Sequence, residues 1–292
     1  MSELLTTPAP VADQPPVQRE VRIAACRPVG AYVELTLDAP EIAERAQPGQ
    51  FVAFAVGGPT SSMLLRRSIA IADADGSAVT VVVAPHGVGS TWLAERQAGD
   101  MLDVVGPLGR PYPLPSPGAS ALLVGGGYGA AALVGLAELL GSRGNAVTAV
   151  AGAATAEKLC SIDELRGLGD LHVLTDDGSA GRQGMVTLAV AELLPAADVV
   201  YACGPMPMLR AVASAATEAG VPSYVAVEEA MACGIGVCMT CVLPVIGEDG
   251  RSRFARSCAE GPVFGGDRVR FADVGKLPHD LVGADAMGVV AP

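Results

Sequence analysis

A chain of 292 residues, 50% hydrophobic and 17% charged, is long enough to bury the cores of two or three compact domains and is not a disordered segment. Its net charge of −12 comes without a cluster of Lys and Arg, so it lacks the positive patch that displaces counterions from nucleic acid or an anionic membrane. The expected partners are proteins or small molecules, with no nucleic acid and no membrane.

In chain order, residues 1–18 are Pro-rich and polar and lack an apolar run of signal-peptide length. They predict a flexible tail and a cytoplasmic location. Residues 19–117 carry the strand-like segments "REVRIAAC", "AYVELTL", "QFVAFAV", "RSIAIAD", "AVTVVVA" and "MLDVV", separated by turn signals at Pro48-Gly49, Asp75-Gly76 and Gly99-Asp100. That spacing predicts a small antiparallel β-barrel. After a Gly/Pro connector at 106–118, residues 118–227 alternate strands with helices expected over 129–141, near 161–167, over 184–194 and over 205–219. Such alternation specifies a parallel sheet covered on both faces. "SIDE" at 161–164 reads as a capping box, Ser161 at the cap and Glu164 reaching back. The segment 119–141 nears the ~20 apolar residues of a membrane span, but its glycine break and Glu138 fit strand, loop and helix better. Residues 228–292 hold a cysteine loop, a hairpin turning at 247–250 and the return "PVFGGDRVRF". This region is too small for a core of its own, and a bound metal centre would stabilise it. The fold class is therefore multi-domain, β followed by α/β.

Four of the seven cysteines fall in this last region. Cys233, Cys238 and Cys241 are spaced C-x4-C-x2-C, and Cys258 follows across the hairpin, the plant-ferredoxin arrangement of four thiolates around a [2Fe–2S] cluster. Gly234 and Gly236 permit the positive φ angles needed to curl such a loop with its N–H groups inward. Tetrahedral zinc is the alternative, although zinc sites usually pair two similar knuckles and here three cysteines share one loop. The other three, Cys26, Cys160 and Cys203, are scattered, and an odd total does not suit a disulfide framework.

"LLVGGGYGAAAL" places Gly125, Gly126, Gly127 and Gly129 between a strand and a helix, where a pyrophosphate can approach the backbone. The usual ribose acid at the end of the next strand is missing before Glu157. The loop is thus either plain helix-on-sheet packing or a nucleotide site of another subtype. Two segments at the same carboxyl edge favour the nucleotide: Asp176 and Asp177 in "TDDGSAGRQG", suited to ribose, and Cys203, Gly204 and Pro205 in "YACGPMPML". A 2′-phosphate would need a cation there, with Lys158, Arg166 and Arg182 as candidates. A nicotinamide exchanges two electrons as hydride and an iron–sulfur cluster only one, so a flavin is required between them, and the barrel is the place for it.

At this point the residues resemble a known family. "LLRRSIAIAD" (64–73) and "VTVVVAPHGVGSTWLAE" (79–95) are similar to the flavin strand and following turn of the ferredoxin reductase-like family. With the cysteine loop and the "GPVF" after Cys258, the chain over 19–272 resembles the electron transfer subunits of dihydroorotate dehydrogenase B. The resemblance implies FAD bound by Arg67, Ser68, Ile69 and Ala70, with Arg67 toward its phosphates or ring. Val82, Val83 and Ala84 would lie beside the flavin, and Gly89 and Ser90 around its pyrophosphate. It implies NAD as the nucleotide and, as partner, an FMN-containing dihydroorotate dehydrogenase catalytic subunit, two of each subunit forming a heterotetramer. Electrons from dihydroorotate would pass through the [2Fe–2S] centre and FAD to NAD⁺, in pyrimidine (UMP) biosynthesis. Ser68 stands where such subunits commonly have Pro, Ala70 where a hydroxyl residue often bonds the ring, and Ala132 where Pro often follows the glycine loop. His86, His172 and His279 are isolated, so the dihydroorotate site is expected on the partner. The alternatives are a related reductase subunit of a ferredoxin:NADP⁺ or hydrogenase complex, and a nonenzymatic metal-binding interaction protein.

Overall fold

A computed structural model describes residues 5–6, 15–58 and 60–287. Strand β1 (Leu5–Thr6) is followed by β2 (Val17–Val29), β3 (Tyr32–Asp38), helix α1 (Pro40–Ala43), β4 (Phe51–Phe54), β5 (Arg67–Asp75) and β6 (Ala78–Val83). Helix α2 (Val88–Ala94), β7 (Met101–Leu108) and β8 (Leu114–Pro115) complete the first part. Strands β2 to β7 close a barrel in the order β2-β3-β6-β5-β4-β7, every ladder antiparallel. Its interior is filled by side chains two apart along each strand, such as Leu35 and Leu37 on β3 and Val79, Val81 and Val83 on β6, as the pleat requires. Register shifts in β2, β4 and β5 bend the strands enough for closure. The expected tail is shorter than 18 residues: Val17 and Gln18 already pair with Gly106 and Val105, and β1 pairs with β8. Residues 1–4 and 7–14 of that tail lie outside the described residues.

The second part runs β9 (Ser120–Gly126), α3 (Val134–Ser142), β10 (Ala146–Ala153), α4 (Ile162–Leu168), β11 (Asp170–Thr175), β12 (Arg182–Gln183), α5 (Val186–Leu193), β13 (Val199–Cys203), α6 (Met206–Ala219) and β14 (Ser223–Ala226). Its sheet has the order β12-β11-β10-β9-β13-β14-β17, where β17 (Val263–Gly265) is the one antiparallel member. Ala121 to Val124 of β9 are all buried, because helices cover both faces of a parallel sheet. One core layer joins α5 and α6 to the sheet; the other joins α3, Leu165 and the rings of Tyr112 and Tyr201.

Two local expectations are corrected. The helix expected from 129 starts as a 3-10 turn at Gly127–Leu133, and α-helix begins only at Val134, since the glycines hold the turn hard against the neighbouring strand. The capping box at 161–164 does not form. Ser161 caps α4 with φ 54° but its hydroxyl makes no hydrogen bond to the helix, lying instead against Cys160 Sγ, while Glu164 turns to Arg27 of the barrel, 2.6 Å away. Tertiary pairing has overridden a local motif.

Residues beyond 227 borrow a core. Strands β15 (Val242–Ile246) and β16 (Ser252–Arg256) form the expected hairpin, but Leu243, Val245 and Ala255 pack in the same layer as α6, and β17 edges the sheet. The barrel and the sheet are joined at the β2–β3 turn, where Ala31 N donates to Glu157 O (2.8 Å) and Tyr32 OH to Lys158 O (3.0 Å). Among the described residues no helix is long and apolar enough to cross a membrane.

Candidate cofactor sites

Between barrel and sheet opens a cavity of about 530 Å³. Its barrel wall is Arg67, Ser68, Ile69 and Ala70 of β5, Val82 of β6, the following Ala84, and Ser90 of α2. Its sheet wall is Gly129 of the glycine turn with Cys203 and Gly204 at the end of β13. A third wall, Glu228 to Met231, leads directly into the cysteine loop. Ten of the expected cofactor-binding residues, from segments far apart in the chain, thus meet in one place.

The others lie elsewhere. Val83 is fully buried inside the barrel, because successive side chains of β6 alternate and only Val82 and Ala84 face the cavity. Gly89 lies under the Arg67 guanidinium, which fills the place a Cβ would take. Gly125 and Gly126 serve close packing: a Cβ there would meet Ala130, or Met208 and Pro205, at 2.6–2.9 Å. Gly127 takes φ 56° against the Tyr32 hydroxyl. Asp176 and Asp177 follow β11, two strands out from β9, and do not line the cavity. Asp177 Oδ1 accepts from Ser179 Oγ (2.6 Å) and N (3.0 Å), which holds its carboxyl below the usual range. Of the candidate cations, Arg182 pairs with Glu192 and Arg166 with Asp163.

The structure adds residues the sequence reading passed over. Tyr128, inside the glycine turn, lines the cavity beside His86, ring centroids 5.9 Å apart. Glu228 and Glu229 line it too; burial pushes both carboxyls up, and His86 partly offsets this for Glu228. Paired acids immediately ahead of a cysteine loop were a visible signal. Burial also pushes the Cys203 thiol up to about 12, so it is neutral at pH 7. Ser90 Oγ accepts from His86 N (3.0 Å) and Gly87 N (3.1 Å), shaping the turn that closes the cavity.

The four cysteines converge across the hairpin. Cys233 Sγ accepts from Ile235 N and Val237 N at 3.4 Å each, Cys258 Sγ from Gly236 N at 3.1 Å, and Cys241 Sγ from Cys258 N at 3.4 Å. Gly234 (φ 72°) and Gly236 (φ 82°) make this curl possible, and Met239 joins them at φ 60°. Cys238 lies beside Cys233, and Cys258 beside Cys241. Hydrogen bonding from Thr240 above all brings the Cys238 thiol down to about 6. Burial takes Cys258 up to about 12. Two neighbouring sulfur pairs under inward N–H groups suit a binuclear cluster. The donor set fits [2Fe–2S] better than zinc. The loop packs Cys241 and Cys258 on Phe51, Ala53 and Leu108 of the barrel. Met231, two residues before Cys233, is both a cavity wall and part of that packing.

Comparison with known proteins agrees with this geometry. Residues 228–270 match the family model of the iron–sulfur cluster binding domain of dihydroorotate dehydrogenase B. The dihydroorotate dehydrogenase B (NAD(+)), electron transfer subunit, of Bacillus caldolyticus is 41% identical over 235 residues, 79% of this chain and 90% of that one. The subunit of the same name from Lysinibacillus sphaericus (strain C3-41) is 36% identical over 252 residues, 85% and 96% of the two chains. Among solved structures, a chain of the NADH-dependent reduced ferredoxin-NADP oxidoreductase superposes with TM-score 0.78 at 30% identity, over 92% of this chain and 96% of that one. Phthalate dioxygenase reductase shares the fold, with TM-score 0.56 at 18% identity over 83% and 89%. The chain belongs to the family of dihydroorotate dehydrogenase B electron transfer subunits.

Proposed function

We propose that this chain carries electrons from dihydroorotate, oxidised on a separate FMN-containing catalytic subunit, through a [2Fe–2S] centre and FAD to NAD⁺, as a step of UMP synthesis in the cytoplasm. One observation carries the reading: the same barrel strands, β4 and β5, wall the cavity on one side and support the cysteine loop on the other. A flavin takes electrons singly and passes them on as a hydride, the conversion a cluster and a nicotinamide cannot make directly.

In this reading Cys233, Cys238, Cys241 and Cys258 hold the cluster. Arg67 presents its positive charge to the FAD phosphates from the first residue of β5, and the strand edge from Ser68 to Ala70 faces the ring with its backbone groups. That edge compensates for the hydroxyl missing at Ala70. Val82 and Ala84 supply a flat apolar wall, and Gly89 and Ser90 bring backbone N–H groups to the pyrophosphate. Gly129, Cys203 and Gly204 face the flavin wall from the sheet, the place for the nicotinamide, and the neutral Cys203 thiol adds no charge there. Asp176 and Asp177 extend the same carboxyl edge toward the ribose. The FMN subunit meets the apolar tip of the cysteine loop, and two of each subunit assemble.

The likeness to the ferredoxin-NADP oxidoreductase chain supports a second reading, a reductase subunit of that kind. Co-expression with the FMN subunit, followed by an assay of dihydroorotate-dependent NAD⁺ reduction, separates the two. Turnover with NAD⁺ is expected. A complex with full flavin and iron content that reduces no NAD⁺ would defeat the dihydroorotate assignment.

A further inference from the structure

Arg256 stands beside the cysteine loop with no part in the roles above. Its Nη1 donates to the Gly236 carbonyl at 2.9 Å, and the N–H of that same Gly236 donates to Cys258 Sγ at 3.1 Å. Its Nη2 donates to Glu260 at 3.1 Å, and Glu260 also accepts from Arg253 at 3.1 Å. The N–H groups of Ala259 and Glu260 both return to the Arg256 carbonyl, at 3.1 and 2.8 Å, so the backbone around Cys258 is closed on Arg256 as well. A Cβ on Gly236 would lie 3.4 Å from Arg256 Nη1 and 3.1 Å from Ala259 Cβ. The guanidinium is therefore packed against the curl of the loop.

We infer that Arg256 is a positioning residue that sets the redox potential of the cluster, by holding the Gly236 amide on Cys258 Sγ and by placing a fixed positive charge across Gly236 from that sulfur. The inference rests on the reading of the four cysteines as cluster ligands. Reduction adds negative charge to the sulfurs, and hydrogen bonds and nearby cations favour that state. Cys258 is buried, where such effects are screened less than in water. Arginine suits the task because it never loses its charge and its planar fork can serve the Gly236 carbonyl and Glu260 together. Glu260 opposes it, offsetting part of the charge while fixing the fork. The two residues thus set the potential with opposite signs.

The test is a redox titration of the purified full chain, followed by the electron paramagnetic resonance signal of the reduced cluster, with iron content measured first. R256Q is expected to lower the potential by about a tenfold change in the one-electron equilibrium, ~59 mV. R256K, which keeps the charge but not the fork, is expected to shift it less, and E260Q to raise it. A brace without an electrostatic role would move R256Q and E260Q in the same direction, and that result, or no movement in either, overturns the inference. Should R256Q fail to hold its cluster, the sign of the E260Q shift decides alone. A wild-type chain with no iron signal would overturn the cluster reading itself, an outcome distinct from an unmoved potential.

Discussion

Arg67 reaches the cavity from the start of β5, its Nη1 donating to Leu65 O at 2.7 Å. A phosphate beside it would add an ion-paired hydrogen bond, about 1.5–3 kcal/mol. Arg67→Gln is accordingly expected to weaken FAD binding by about 10- to 100-fold, read from the recovery of flavin fluorescence on dilution. Affinity equal to the parent chain would remove Arg67 from the phosphate site. The neighbouring Arg66 is a contrast at the same scale. It is committed to the barrel, pairing with Asp103 at 2.8 Å and donating to the Asp103 carbonyl at 3.1 Å. Arg66, just ahead of β5, and Arg67, its first residue, thus have different tasks, decided by which side of the barrel wall each faces.

Among elements, the glycine turn is tightly constrained. A Cβ on Gly129 would meet Cys203 O at 2.6 Å, Cys203 C at 2.7 Å and Gly204 N at 2.8 Å. These are backbone atoms of a central strand and cannot step aside. Gly129→Ala should cost about 2 kcal/mol and lower the melting temperature by several degrees. Gly141, in α3, has nothing within 4 Å of its Cβ position. Gly141→Ala should stabilise by up to about 1 kcal/mol, since alanine favours helix. Calorimetry on both variants checks the pair, and equal effects would mean that packing at β13 is looser than described.

At the largest scale, the cysteine loop gathers three exposed apolar side chains at its tip. Ile235, Val237 and Met239 are 56%, 74% and 53% exposed, and their backbone N–H groups rather than their side chains serve the sulfurs where the bonds are defined. A partner covering this tip would bury them at the centre of its interface. Val237→Asp is expected to weaken association with the FMN subunit at least about tenfold, measured by titration calorimetry, with iron content unchanged. Undiminished affinity would direct the search for the docking face elsewhere.

What depends on near neighbours is legible in the amino-acid sequence. Barrel strands, the βα alternation, the cysteine spacing and the curl at Gly234 and Gly236 are all set within a few residues, where chain connectivity limits the choices. Tertiary structure decided which groups face one another. "VTVVVA" is an unbroken apolar run, so only closure of the barrel assigns Val83 to the interior and Val82 and Ala84 to the cavity. Glu164 was offered a local cap and instead paired with Arg27, 137 residues away. The return strand after Cys258 carried no sign that it would edge the parallel sheet. Gly125 and Gly126 looked like ligand-binding glycines, yet the chain's own atoms take their space. In each case the deciding energy comes from contacts between segments distant in the chain, whose meeting no local spacing encodes.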